Sequence, residues 1–123
     1  MWQLDHVQVA IRAGSEALCD EFYVGVLGFD LVAKPPVLAA RGGRWYRHGL
    51  AQLHLGVEED FRPAKKAHPA LLVDDYDALR ARLVEAHYDV RDDDAIANQR
   101  RFYVDDPVGN RLELIDAAAW LPR

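Results

Sequence analysis

Apolar and polar residues alternate from Leu4 to Ile11 (LDHVQVAI), the period of a strand with one buried face. The spacing then lengthens. Leu18, Phe22 and Val26 fall on one stripe behind Ser15, which predicts a helix capped by Ser15, running to Leu27 and stopped by Gly28. Short strands are expected at Phe29 to Ala33, Trp45 to Arg47 and Ala51 to Val57, with Gly42-Gly43 and His48-Gly49 as turns. After a polar linker the order returns: a strand from His68 to Val73, then a helix begun by Asp74-Asp75 and carrying Leu79, Leu83 and Ala86. Strands near Asp89 to Arg91, Arg101 to Asp105 and Arg111 to Ile115 complete it. Each half reads βαβββ, so the predicted fold class is α+β. The expected organisation is a single domain over 1–123: module 1 at about 1–58, a linker at 59–66 and module 2 at about 67–117. Matching positions repeat at a nearly fixed offset, 62 residues for His6 and His68, 61 for Leu18 and Leu79, and 59 for His54 and Glu113. Halves this small have little interior, so they are expected to pack with each other or with a second chain.

Composition narrows the function classes. With 123 residues, half of them apolar and 28% charged, the chain suits one compact core. Fifteen Lys and Arg against twenty Asp and Glu leave a net charge of -5, and no stretch concentrates basic residues; neither nucleic acid nor an anionic membrane is an expected partner. No apolar run approaches the roughly 20 residues of a membrane span, and the first residues lack a secretory pattern, so the expected location is cytoplasmic. Cys19, the single cysteine, has no intrachain disulfide partner and reads as a buried packing residue.

Alternation also assigns faces. His6 and Gln8 share one face of the first strand, Gln52 and His54 one face of the fourth, and Arg111 and Glu113 one face of the last. In a sheet packed on helices by its apolar side, these polar faces turn away from the helices. Three imidazoles and a carboxylate at duplicated positions form a donor set suited to Zn, Ni, Mn or Fe. Taken singly, each His also reads as a surface or hydrogen-bonded sheet residue.

The segments LDHVQVAI, EFYVGVLGFDLV, QLHLGV, HPALLVDD and RFYVDDPVGNRLELID resemble, in this order, the vicinal oxygen chelate superfamily, which includes glyoxalase I, extradiol dioxygenases, and fosfomycin- and bleomycin-resistance proteins. The resemblance implies paired βαβββ modules whose curved mixed sheets form a cup around a metal, and the small size of the halves makes a homodimer the expected assembly. By position it implies His6, His54, His68 and Glu113 as ligands of a divalent ion. Glyoxalase I usually has Glu where this chain has His54, while His6, His68 and Glu113 satisfy the His, His, Glu triad of the fosfomycin transferases. Two functions are expected to compete. One is a small metal-dependent isomerase, epimerase or lyase that chelates a substrate through adjacent oxygens, with Glu113 as catalytic residue and with Glu113, Tyr103 or a bound hydroxide as the alternatives for the base that moves the proton. The other is a metal-free cup that sequesters a small molecule, as bleomycin-resistance proteins do.

Tyr103, Arg101 and Tyr46 are candidate substrate-binding residues, and Trp45 a candidate for lining the pocket. His48 and His87, in turns, read as structural or solvated. Asp92, Asp93 and Asp94 with the following AIANQRR read as a solvated loop or a lid. In a two-fold dimer, His6 and His54 of one chain would meet His68 and Glu113 of the other; the alternative is a cup within one chain that holds all four.

Overall fold

The structure, a computed structural model, describes residues 1–120. In chain order its elements are β1 (Val7–Ile11), α1 (Glu16–Tyr23), β2 (Asp30–Val32), α2 (Pro36–Ala39), β3 (Arg44–His48), β4 (Ala51–Val57), β5 (Ala70–Val73), α3 (Tyr76–Glu85), β6 (Arg91–Asp93), β7 (Arg101–Asp105) and β8 (Arg111–Asp116). They build two four-stranded mixed sheets, ordered β1-β4-β3-β2 and β5-β8-β7-β6. In each, the first strand runs parallel to the last and the other pairs are antiparallel. The internal repeat is a repeat of register. Gln8 lies opposite His54 as Ala70 lies opposite Glu113, and Trp45 lies beside His54 as Tyr103 lies beside Glu113.

Apolar residues of both sheets and of α1 and α3 merge into one core cluster. Phe22 meets Tyr88 across the modules with ring centroids 4.9 Å apart. The turn between β7 and β8 adds a polar tie. The buried Asp106 carboxylate accepts from the Tyr23 hydroxyl (2.7 Å), from the Val108 and Asn110 amides (3.0 and 2.9 Å) and from Asn110 Nδ2 (3.1 Å). Asn110 Nδ2 also donates to Ala10 O in the first module (2.8 Å). The DPVGN segment is therefore the staple between the modules, and Gly109, at φ 96°, supplies the left-handed residue its turn requires.

Several local expectations shift. Regular α1 ends at Tyr23, after which the Gly25 and Leu27 amides reach back five residues, to Asp20 O and Phe22 O, in a widened turn. The buried stripe is Cys19, Phe22 and Tyr23 rather than Leu18, Phe22 and Val26, and Leu18 is exposed. Ser15 precedes the helix but makes no side-chain cap; its hydroxyl donates to Arg12 O instead (2.6 Å). His6 and His68 each stand just before their strand, because the ladders begin at the Val7–Leu53 and Ala70–Glu113 pairs. β6 starts two residues later than expected, since His87 turns the chain at φ 68° and Tyr88 is drawn onto Phe22. Asp92 and Asp93 consequently belong to a strand and not to a lid. Helix α2, absent from the expected elements, opens with proline at its first position, where a missing amide hydrogen costs nothing.

Cys19 is fully buried, and burial, with Asp106 adding to it, pushes its thiol up to about 11. Before β3, Gly43 sits at φ 84°, and a Cβ there would stand 2.2 Å from Leu55 O. Gly43→Ala is expected to destabilise by about 2 kcal/mol or more, read by urea denaturation; a loss under about 0.5 kcal/mol would show that the backbone relaxes there.

Candidate functional site

The helix-free face of the first sheet carries Gln8, Gln52, His54 and Trp45, with His6 beside them at the entry to β1. Three rings stack in a row: Trp45 on His54 at 4.6 Å and 14°, and His54 on His6 at 4.1 Å and 17°. Gln8, Lys34 and Arg41 help line the adjoining cavity of about 360 Å³. Burial first, then the neighbouring His6, holds His54 below the ordinary imidazole range, so its ring is neutral at neutral pH.

The helix-free face of the second sheet carries Arg111 and Glu113 of β8, Arg101 and Tyr103 of β7, and Asp93 of β6. His68 Nε2 lies 3.0 Å from Glu113 Oε1, and Arg101 Nη1 donates to Glu113 Oε2 at 3.0 Å. Arg101 Nη2 donates to Asp93 (3.2 Å). Burial opposes the Arg101 charge, but Glu113 and Asp93 outweigh it and raise its pKa above the ordinary value. Tyr103 stands edge-on to His68 at 5.6 Å.

The four expected ligands thus form two pairs, His6 with His54 and His68 with Glu113. Among the described residues no three His, Cys, Asp or Glu side chains gather into one metal site, so a single chain brings the four candidates together only as two pairs. Ring geometry gives a further reason. Imidazole donates in its own plane, and planes inclined by only 17° at 4.1 Å do not meet near a common ion. His6, half exposed and ahead of β1, is the ring with room to turn. Tyr46 stands apart from both pairs. It faces α1, is 1% exposed, stacks on Tyr23 at 5.1 Å and donates to Asp20 (2.6 Å). Strand alternation puts Tyr46 on the opposite face from Trp45 and His54.

The donor chemistry fits a divalent cation. Nδ1 of His6 lies 2.8 Å from Asp5 Oδ2, and Nδ1 of His68 lies 2.9 Å from Lys66 O. An imidazole that spends Nδ1–H on a carboxylate or a backbone carbonyl keeps Nε2 for a metal, the usual arrangement around ligating histidines.

The sequence pattern of the Glyoxalase/Bleomycin resistance protein/Dioxygenase superfamily matches residues 3–114. The chain belongs to this superfamily. Among solved structures, a glyoxalase family protein from Bacillus anthracis is 41% identical, with 94% of this chain and 95% of that one covered and a TM-score of 0.91. An antibiotic binding protein from a Streptomyces species is 27% identical over 94% of this chain and 98% of that one, TM-score 0.69. A lactoylglutathione lyase from Agrobacterium tumefaciens shares the fold at 20% identity, with 92% and 93% covered and a TM-score of 0.67. Comparison with curated protein sequences finds no match.

For a member of this superfamily, some of the site was hidden in the sequence. The exposed Asp5 orients His6, and the Lys66 carbonyl orients His68, which no side-chain motif announces. The ring stack on Trp45 was foreshadowed only by alternation across a turn. Among the described residues no helix is long and apolar enough to cross a membrane.

Proposed function

We propose that this superfamily member is a small metal-dependent enzyme acting as a two-fold dimer, in which the His6–His54 pair of one protomer faces His68 of the partner subunit and Glu113 of the partner subunit. The observation that carries this reading is the orientation of His6 and His68: each has Nδ1 engaged by an oxygen, and Nε2 of His68 points at Glu113 Oε1, 3.0 Å away, a pair of donors that a cation would take together. His54 adds a fourth donor once the His6 ring turns out of the stack. The pairing of two half-sites is further supported by the exposed apolar residues Trp2, Leu4 and Leu50, and by the unpaired edges of β1 and β5, which a second chain would cover.

A divalent ion held there (Zn, Ni, Mn or Fe) would stabilise negative charge developing on two adjacent substrate oxygens, worth several kcal/mol of barrier. Glu113 is the catalytic residue in this reading, holding or moving the substrate proton at Oε1. Arg101 fixes the carboxylate through Oε2, so that Oε1 faces the substrate in a single orientation. Tyr103 borders the same face and contributes an aromatic wall. Isomerase, epimerase or lyase chemistry fits these roles.

Native mass spectrometry with Zn, Ni, Mn and Fe tests the reading, with a dimer binding two ions expected. A 13.9 kDa monomer that binds metal would exclude shared sites, and no uptake of any of the four ions would remove the metal. Mixing is more discriminating. A His6→Ala/His54→Ala chain and a His68→Ala/Glu113→Gln chain, each binding nothing alone, are expected to regain one metal site per mixed dimer; intrachain sites would leave the mixture empty.

The second reading, a metal-free module binding a small aromatic molecule in a cytoplasmic setting, is favoured by the parallel stack of Trp45, His54 and His6, whose flat surfaces suit a planar ligand. A thermal shift with aromatic drugs and none with metals would select it.

A further inference from the structure

The cations on the helix-free face of the second sheet are matched with carboxylates, except one. Asp105 spends Oδ2 on Lys65 (2.9 Å) and Oδ1 on Arg91 (3.0 Å), while Arg101 spans Asp93 and Glu113. Arg111 lies opposite Asp105 in the ladder but finds both of its oxygens engaged, and among the described residues no carboxylate pairs with it. Its guanidinium lies over the Tyr103 ring, 5.4 Å from the centroid, and the Arg101 guanidinium lies 5.6 Å from the same ring. The Nε atoms of Arg111 and Arg101 are shielded from solvent and have no hydrogen-bond partner. A shielded N–H of a cation with no acceptor is costly, and an aromatic face beneath it does not supply one. In a chain of net charge -5, an unmatched cation held on a rigid strand is a local exception.

We propose that Arg111, backed by Tyr103, docks an anionic group of the ligand, a carboxylate or a phosphate. This inference deepens the metal reading in one respect and rests on it there: the same molecule presents its adjacent oxygens at His68 and Glu113. Arg111 and Glu113 are two residues apart on one face of β8, so their backbone positions are about 7 Å apart. That span suits a small oxo or hydroxy acid, or a phosphate ester of similar length, bound by both ends. Arg111 then discriminates by charge. A neutral analogue leaves the guanidinium without its acceptor and binds poorly.

The probes are pyruvate, inorganic phosphate and, as the uncharged control, methyl pyruvate, added to ¹⁵N-labelled full-length protein without metal. Both anions at about 10 mM, above the millimolar affinity that a few ionic contacts support, are expected to move the Arg111 Nε–H resonance, and methyl pyruvate is not. Arg111→Gln is expected to weaken anion binding about tenfold or more, with the exposed Arg62→Gln unchanged. Tighter pyruvate assigns a carboxylate ligand, and tighter phosphate a phosphate ester. An unmoved resonance with both anions, or equal affinity in Arg111→Gln, would overturn the proposal. Metal uptake measured separately keeps the two readings apart: anion binding without metal uptake leaves the subsite standing and removes the metal, and the converse removes the subsite alone.

Discussion

Asp106→Ala will lower the unfolding free energy by about 3 kcal/mol or more, the scale for breaking a buried charged hydrogen-bond network. The carboxylate is 4% exposed and accepts four hydrogen bonds, from the Tyr23 hydroxyl, two backbone amides of its own turn and Asn110 Nδ2. Alanine leaves all four donors without that acceptor, and the staple from Asn110 to Ala10 loses its support. Burial foremost, then Asp106, raises the Tyr23 pKa well above that of an ordinary phenol, so its hydroxyl remains a donor across the accessible pH range. Tyr23→Phe should cost less, about 1 to 2 kcal/mol, because it removes one donor and strands none. Asp106→Asn should fall between the two, since its amide nitrogen must face a donor. In urea the midpoint is expected to fall with the m-value unchanged. A loss below about 1 kcal/mol for Asp106→Ala would mean that the two modules are held by apolar packing alone.

If the proposed metal site is right, Glu113→Gln will reduce divalent metal affinity by about a hundredfold or more while leaving the protein folded, as losing an anionic ligand exceeds the tenfold to hundredfold cost of losing an outer partner. The isostere keeps the volume of a side chain that is 6% exposed between His68 and Arg101, so the sheet should tolerate it. What it loses is charge. His68 Nε2 then faces a neutral amide, and Arg101 keeps only Asp93 as an ionic partner. Arg101→Gln should weaken metal binding about 10- to 100-fold, because it frees the Glu113 carboxylate to rotate without removing it. Competitive chelator titration measures both, with circular dichroism to verify folding. Unchanged affinity in Glu113→Gln would exclude this carboxylate as a ligand and turn attention to the ring stack on the first sheet.

Strand alternation made the polar faces legible before any coordinates. His54 and Glu113 lie on helix-free faces because a period of two leaves a strand with one apolar side little choice, and the repeat offset placed them at equivalent register. Periodicity was weaker for α1, where spacings of three and of four residues both find apolar partners; the packed core buries Cys19, Phe22 and Tyr23. Tyr46 shows the same weakness in a short strand. A slip of one residue exchanges its two faces, and the hydrogen bond to Asp20 with the stack on Tyr23 decided the outcome.

By itself, the sequence determined two βαβββ halves and the duplicated positions of His6, His54, His68 and Glu113, because these depend on local period and order, while the superfamily was legible through the likeness of its motifs to a known family. Tertiary structure alone decided that the four side chains stand as two pairs, one at each sheet, that Asp5 and the Lys66 carbonyl orient two of the imidazoles, and that no carboxylate among the described residues pairs with Arg111. Each of these is a matter of distance between residues far apart or of a backbone oxygen with no signature of its own, and neither is written in the order of side chains.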